Sequence, residues 1–202
     1  MEHKTIDFTH LIGTVQGLSE KQLRAHFGLY EGYVKKLNEI ESKLKSVSPE
    51  SANYSFGEIS ELLRRRAVAY NGAYLHQMYF ENLTGKPVQP SPEIMTETER
   101  FFGSFEQCMS LMRAGLNSGY GWALLCRSRF DESLSVDFVE EHHRGVLVGQ
   151  DILLALDGWE HAYMIDYGTT KAKYIEVIEK VIDWSVVGRR FGMIKGEERK
   201  AA

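Results

Sequence analysis

In the first half of the chain, apolar residues recur at spacings of three and four over two long stretches. The first opens after Leu18. Ser19 stands where an N-cap belongs, and Gln22, three positions on, completes a capping-box pattern. Leu23, His26, Phe27, Tyr30, Tyr33, Val34, Leu37 and Ile40 then share one face, which predicts a helix to about Leu44. Turn-forming residues at 46–53 break it. The second stretch, from about Phe56 to Leu83, carries Leu62, Leu63, Val68, Ala69, Ala73, His76, Tyr79, Phe80 and Leu83. Two long helices joined by a short polar connector predict an antiparallel hairpin. Residues 1–17 read as an irregular lead-in, with His3 and His10 solvated.

The pattern changes after 84–92, where three of the four prolines lie. This segment is expected to divide an N-terminal helical domain, residues 1–84, from a C-terminal α/β domain, residues 85–202. Beyond it, Pro92–Phe101 and Phe105–Leu116 read as helices. Trp122–Cys126 and Leu134–Val139 read as strands joined by a polar turn. Ile152–Asp157 is a more buried strand that delivers Asp157 at its C-terminal end. A last helix is predicted over Lys173–Trp184, with a charged, frayed tail from Lys195. The fold class is α+β.

Composition narrows the class. The 202 residues are 43% hydrophobic and 26% charged, as in a soluble globular chain. A net charge of −4 argues against a general nucleic-acid binder. No apolar run approaches a membrane span, and Met1–His10 has the character of neither a signal peptide nor an anchor. Cys108 and Cys126 lack CxxC spacing and read as buried thiols in a reducing cytoplasm.

Candidate chemistry begins at Asp157-Gly-Trp-Glu-His161, a carboxylate and an imidazole four positions apart. Of the seven histidines, His142 and His143 fall in a loop, while His26 and His76 lie on the apolar faces of the two long helices. A lone imidazole on such a face is usually a hydrogen-bonded core residue. Two of them on facing helices, with Asp157 and His161, make a set of three imidazoles and one carboxylate. That set suits iron or manganese with a position left for a small substrate. It lacks the thiolates of a structural zinc site. A di-iron carboxylate centre would need two Glu-x-x-His pairs, and only Glu140-x-x-His143 fits, in a loop.

Asp157-x-Trp159-Glu160-His161-Ala162-Tyr163 resembles the signature of the iron/manganese superoxide dismutase family. Asn71–Phe80 is similar to the family's Asn-rich ligand helix, Phe102–Phe105 to its FGSF element, and Ser118–Trp122 to its GSGW strand. Tyr167 and Asp183-Trp184 fall where its final helix is entered and left, and the likeness runs colinearly over roughly 15–193. The resemblance implies a helical hairpin followed by an α/β domain with a three-stranded antiparallel sheet, and a single metal site between the two. It implies one Fe or Mn ion per subunit on His26, His76, Asp157 and His161. Tyr33 would stand at the mouth of the substrate channel. Trp159, Tyr120, Trp122, Tyr79 and Phe80 would wall the metal, with Tyr at 120 where the family usually has Trp. Glu160 and Tyr163 would lie at the interface of a homodimer, with a tetramer as the larger alternative. Superoxide would be the substrate, dismuted to dioxygen and hydrogen peroxide. Lys171, where the family has Arg, would help steer the anion.

The sequence departs from the family in three places. The Gln that normally hydrogen-bonds the metal-bound solvent is absent from the second helix, where Gly72 stands. The loop alternative falls at His142, fifteen residues before Asp157, with His143 as the other candidate. Next, His26 and Tyr33 are seven residues apart rather than the family's eight. Seven residues return to nearly the same helix face, whereas eight overshoot by roughly 80° and need a local bulge. A regular helix is therefore predicted from His26 through Tyr33. Last, the family's second Tyr after His-Ala is Met164, and its partner His on the first helix is missing too. Losing both together orphans no polar group. The competing non-enzymatic reading is a redox-inactive module on the same fold.

Overall fold

Ser19 ends the lead-in and starts the first long helix, α1 (Glu20–Lys43). The computed structural model describes residues 2–201, with side chains for 2–192. Ser19 Oγ accepts from Gln22 N at 3.1 Å, but the reciprocal half of the capping box is not made by Gln22. Asp166 takes its place, accepting from Ser19 N at 2.7 Å, because the Gln22 side chain is buried and bonded elsewhere. α1 is unbroken between His26 and Tyr33, with no wide turn, as the seven-residue spacing predicts. The connector, with one 3-10 turn at Pro49–Ser51, leads to α2 (Glu58–Glu81), which packs along α1 to complete the hairpin. Leu63, expected on the apolar face of α2, is exposed.

The lead-in is more structured than its sequence suggests. Phe8, Leu11, Val15 and Leu18 are buried in the main core. His3 is not solvated: Nδ1 meets Tyr74 Oη at 2.8 Å and Nε2 meets Glu41 Oε2 at 3.0 Å. Asn38 bonds the His3 backbone at both N and O, at 2.8 Å each, which docks the arm on α1.

Ser91 caps α3 (Pro92–Phe102), and Gly103, at φ +84°, ends it in the left-handed conformation that glycine adopts without strain. Ser104 then caps α4 (Phe105–Asn117). Three antiparallel strands follow: β1 (Trp122–Ser128), β2 (Leu134–Val139) and β3 (Gln150–Asp157), in the order β2-β1-β3. β1 is central and buried along its whole length. Asp157 pairs with Trp122 at one end of the sheet. α4 packs on β1 and β2, while α2 and the C-terminal helix, which begins at Trp184, pack on β3.

After β3 come a 3-10 turn at Glu160–Ala162, α5 (Met164–Tyr167) and α6 (Lys171–Ile178). The single terminal helix read from sequence is two. Ile182 is extended and bridges Leu83, and Asp183 Oδ1 accepts from Ser185 N at 3.0 Å, restarting the chain as α7 (Trp184–Ala201). α7 includes the tail from Lys195. One buried cluster runs from Phe8 to Phe191 and takes residues from both halves of the chain. Among the described residues no helix is long and apolar enough to cross a membrane.

Candidate metal centre

Four chain segments bring one donor each to a common point. α1 carries His26, α2 carries His76, the end of β3 carries Asp157, and the following turn carries His161. Their ligand atoms all lie within 4.8 Å of one another. Asp157 Oδ2 stands 3.1 Å from His26 Nε2, 3.3 Å from His161 Nε2 and 3.8 Å from His76 Nε2. His76 and His161 face each other Nε2 to Nε2 at 3.2 Å. Donors about 2.1 Å from one ion stand roughly 3.0 Å apart at a right angle and roughly 3.6 Å apart at 120°. The spacing and chemistry of the set therefore fit a single borderline cation.

Protonation agrees with that use. Burial keeps His26 and His76 from charging, the latter strongly. Burial opposes the charge on Asp157, yet the imidazoles, His161 foremost, hold its carboxyl well below the ordinary range. His161 is the more exposed imidazole; burial opposes its charge, and Asp157 outweighs that and raises its pKa. His76 Nδ1 donates to Gly72 O at 2.6 Å, leaving a lone pair on Nε2 aimed into the cluster. With His26 and His76 neutral, the buried Asp157 carboxylate leans on the partly exposed His161, a negative charge that a bound cation would compensate.

The surroundings separate the expected neighbours. Tyr79 and Phe80 pack on His26 at ring distances of 5.2 and 4.8 Å. Trp122 meets His76 edge-on at 5.0 Å, and Trp159 stacks on His161 at 5.9 Å. Tyr120 stands one layer out, against Trp159, and is exposed. Tyr163 is buried in its own chain, stacked on Tyr174, whereas Glu160 is exposed. Lys171 Nζ donates to Gly119 O at 2.6 Å.

Of the two loop histidines, His142 faces the centre; His143 turns to Glu141, at 3.6 Å. His142 is held from three sides. Trp122 Nε1 donates to its Nδ1 at 2.9 Å, Asn71 Nδ2 donates to its carbonyl at 2.7 Å, and its Nε2 meets Tyr33 Oη at 2.7 Å. The Trp122 bond makes Nδ1 the acceptor, so the neutral ring carries its proton on Nε2 and donates to Tyr33. Burial lowers the His142 pKa to about 4, so the ring is neutral at physiological pH. Burial, reinforced by Asp157, raises that of Tyr33. Tyr33 lies flat on α2 because position 72 is glycine: a β-carbon there would come within 2.6 Å of its ring.

Two polar supports escaped the sequence reading. Gln22 Nε2 donates to His161 O at 2.6 Å and its Oε1 accepts from Ile165 N at 3.1 Å, tying the His161 turn to α1. Tyr174 Oη donates to Asp157 O at 2.7 Å and meets Tyr79 Oη at 3.2 Å. The signal for Gln22 was its place on the apolar side of α1 beside Leu23; helix-start logic assigned it to capping.

Residues 90–190 match a family model described as iron/manganese superoxide dismutases, C-terminal domain. The chain is 34% identical over 182 residues to a superoxide dismutase of Aquifex pyrophilus named for iron, covering 88% of this chain and 85% of the relative. It is 34% identical over 179 residues to another named for iron, from Cupriavidus metallidurans, covering 87% and 89%. A superoxide dismutase of Haloarcula marismortui named for manganese is 30% identical over 178 residues, covering 86% and 85%. The chain belongs to the iron/manganese superoxide dismutase family.

Proposed function

We propose that this protein is a superoxide dismutase holding one iron or manganese ion per subunit on His26, His76, Asp157 and His161. The convergence of these four donors on one buried point, in a chain of this family, carries the reading. The overall reaction takes two superoxide ions and two protons to one dioxygen and one hydrogen peroxide. Held by His26, His76, Asp157 and His161, the ion would supply the one-electron exchange between one superoxide and the next.

The chain's own residues control protons, access and steering. His142 is a fixed donor rather than a shuttle: a second proton on Nδ1 would face the Trp122 N–H. Because His142 Nε2–H donates to Tyr33 Oη, the Tyr33 hydroxyl proton is free to point toward substrate. Burial keeps that phenol protonated. Trp122, Trp159, Tyr79 and Phe80 exclude bulk water and larger reductants, with Tyr120 outside them. Lys171 is the nearby cation for steering, weakened by its bond to Gly119 and by burial. Exposed Glu160, next to His161, is the proposed contact of a homodimer. The cytoplasm, where the buried thiols Cys108 and Cys126 stay reduced, is the proposed compartment.

Metal analysis of protein from its own cells, with activity assayed after reconstitution of the ion-free protein, tests the reading. One equivalent of iron or manganese and dismutase activity with at least one of them are expected. Binding without activity in either form would leave the redox-inactive module.

A further inference from the structure

Outside the donor cluster, one half-buried guanidinium collects an unusual set of acceptors. Arg190, on α7, has a side chain only 15% exposed. Its Nη1 donates to Leu153 O and to Asn82 Oδ1, at 2.9 Å each. Its Nη2 donates to Glu81 Oε2 at 2.7 Å and to Met78 O at 3.4 Å. These partners belong to β3 and α2, the elements that carry Asp157 and His76.

Each partner sits where the backbone decides the course of a donor. Leu125 pairs with Leu154 and Cys126 with Ile152, so Leu153 is the extra residue of a bulge in β3. Side chains alternate along a strand, so a bulge resets the face that later residues occupy. Removing it would slip the register by one and turn the Asp157 carboxylate to the other side of the sheet. Asn82 is the C-cap of α2, and Met78 offers one of the carbonyls in its last turn, where a cation is favoured. Asn82 Oδ1 also accepts from Ala155 N at 3.4 Å, two residues before Asp157. Among the described residues Asn82 Nδ2 has no hydrogen-bond partner, so this buried amide is committed to its acceptor role.

We propose that Arg190 is a positioning residue for the donor cluster, clamping the β3 bulge to the C-terminal end of α2 and so fixing Asp157 relative to His76. The proposal rests on the metal-centre reading. A planar fork is required, since a single ammonium cannot present parallel donors to acceptors on two elements.

The test uses the full chain and its Arg190→Lys and Arg190→Gln variants. Mn(II) affinity is measured by chelator competition, the bound ion by its paramagnetic resonance spectrum, and folding by thermal unfolding. Both variants are expected to bind Mn(II) about tenfold or more weakly than wild type, with an altered spectrum and no rescue by Lys. Wild-type affinity and spectrum in the folded variants, even with a lowered melting temperature, would overturn the proposal and leave Arg190 a structural pin. Wild-type protein that binds neither manganese nor iron would instead overturn the metal-centre reading beneath it. Should neither Arg190 variant fold, Glu81→Ala, which removes the half-buried acceptor that Arg190 Nη2 donates to, carries the test. A smaller loss of affinity in the same direction supports the clamp; none overturns it.

Discussion

At Gly72, a residue without a side chain decides the placement of a side chain it never bonds. A β-carbon there would lie 2.6 Å from Tyr33 Cδ1 and 2.8 Å from Cγ and Cε1. Gly72→Ala gains about 1 kcal/mol of helix propensity, and the half-buried Tyr33 ring can swing outward to relieve the clash. Stability should change by less than about 1 kcal/mol, with the cost falling on the Tyr33–His142 bond. Unchanged melting and ion content with about tenfold lower turnover is the expected outcome; full turnover would mean the bond is not used. Trp122→Phe tests the other side of His142. It should cost about 1–3 kcal/mol through lost volume and an orphaned acceptor. Nitrogen NMR of the ion-free protein should show the His142 proton on Nε2 in wild type and spread over both nitrogens in the variant. A wild-type proton on Nδ1 would refute the tautomer assigned to it. Sequence alone excluded Gly72 as a solvent-bonding group, but the ring lying over it is a distance between two helices, which no local pattern encodes.

Among the elements, local chemistry was legible and long-range polar contact was not. The two long helices, the serine caps and the three strands follow from periodicity and turn residues. The 3.6-residue repeat also foretold that α1 runs straight from His26 to Tyr33. The break before α7 was missed because Ile182 and Asp183 leave the helix to pair with Leu83 and Asn82, far off in sequence. The arm at His3 was missed for the same reason. Its anchor, Glu41, also accepts from Arg66 Nε at 3.1 Å and Nη2 at 2.7 Å, joining the arm, α1 and α2. Arg66 first, then His3, holds the Glu41 carboxyl below its ordinary range. A depressed carboxyl pKa stabilises the fold at pH values above the unfolded-state pKa, about 4.3, and that stability is lost as pH falls through the lower folded value. Glu41→Gln should therefore cost about 0.5–1 kcal/mol at pH 7, a sum kept small because Arg66 is 43% exposed. Denaturant unfolding of ion-free wild type and variant should show that gap closing below about pH 4. A gap that persists in acid would assign the effect to packing.

Across the whole molecule, the four donors were readable because Asp157 and His161 sit in one short motif and His26 and His76 on apolar faces. Their supports, Gln22, Tyr174 and Arg190, were not, since each acts through a backbone carbonyl that any residue could offer. Two donors come from the hairpin and two from the end of the sheet and the turn after it, so a bound ion would cross-link the two halves of the chain. It would also compensate the buried Asp157 charge, which otherwise leans on His161. An ion that binds only the folded state adds about 4 kcal/mol when free at a thousand times its dissociation constant. For a chain of this size, that is a fall in melting temperature of roughly 8–16 °C on removing it. Amide exchange should quicken most around His161 and the facing turns of α1 and α2, with less change in the β1–β2 pair. The same scan on His161→Ala should show a much smaller difference between ion-treated and ion-free protein, because a donor is gone. If chelation leaves wild-type melting and exchange unchanged, the cluster is not a metal site, and three imidazoles around one carboxylate would have to be explained as a polar core.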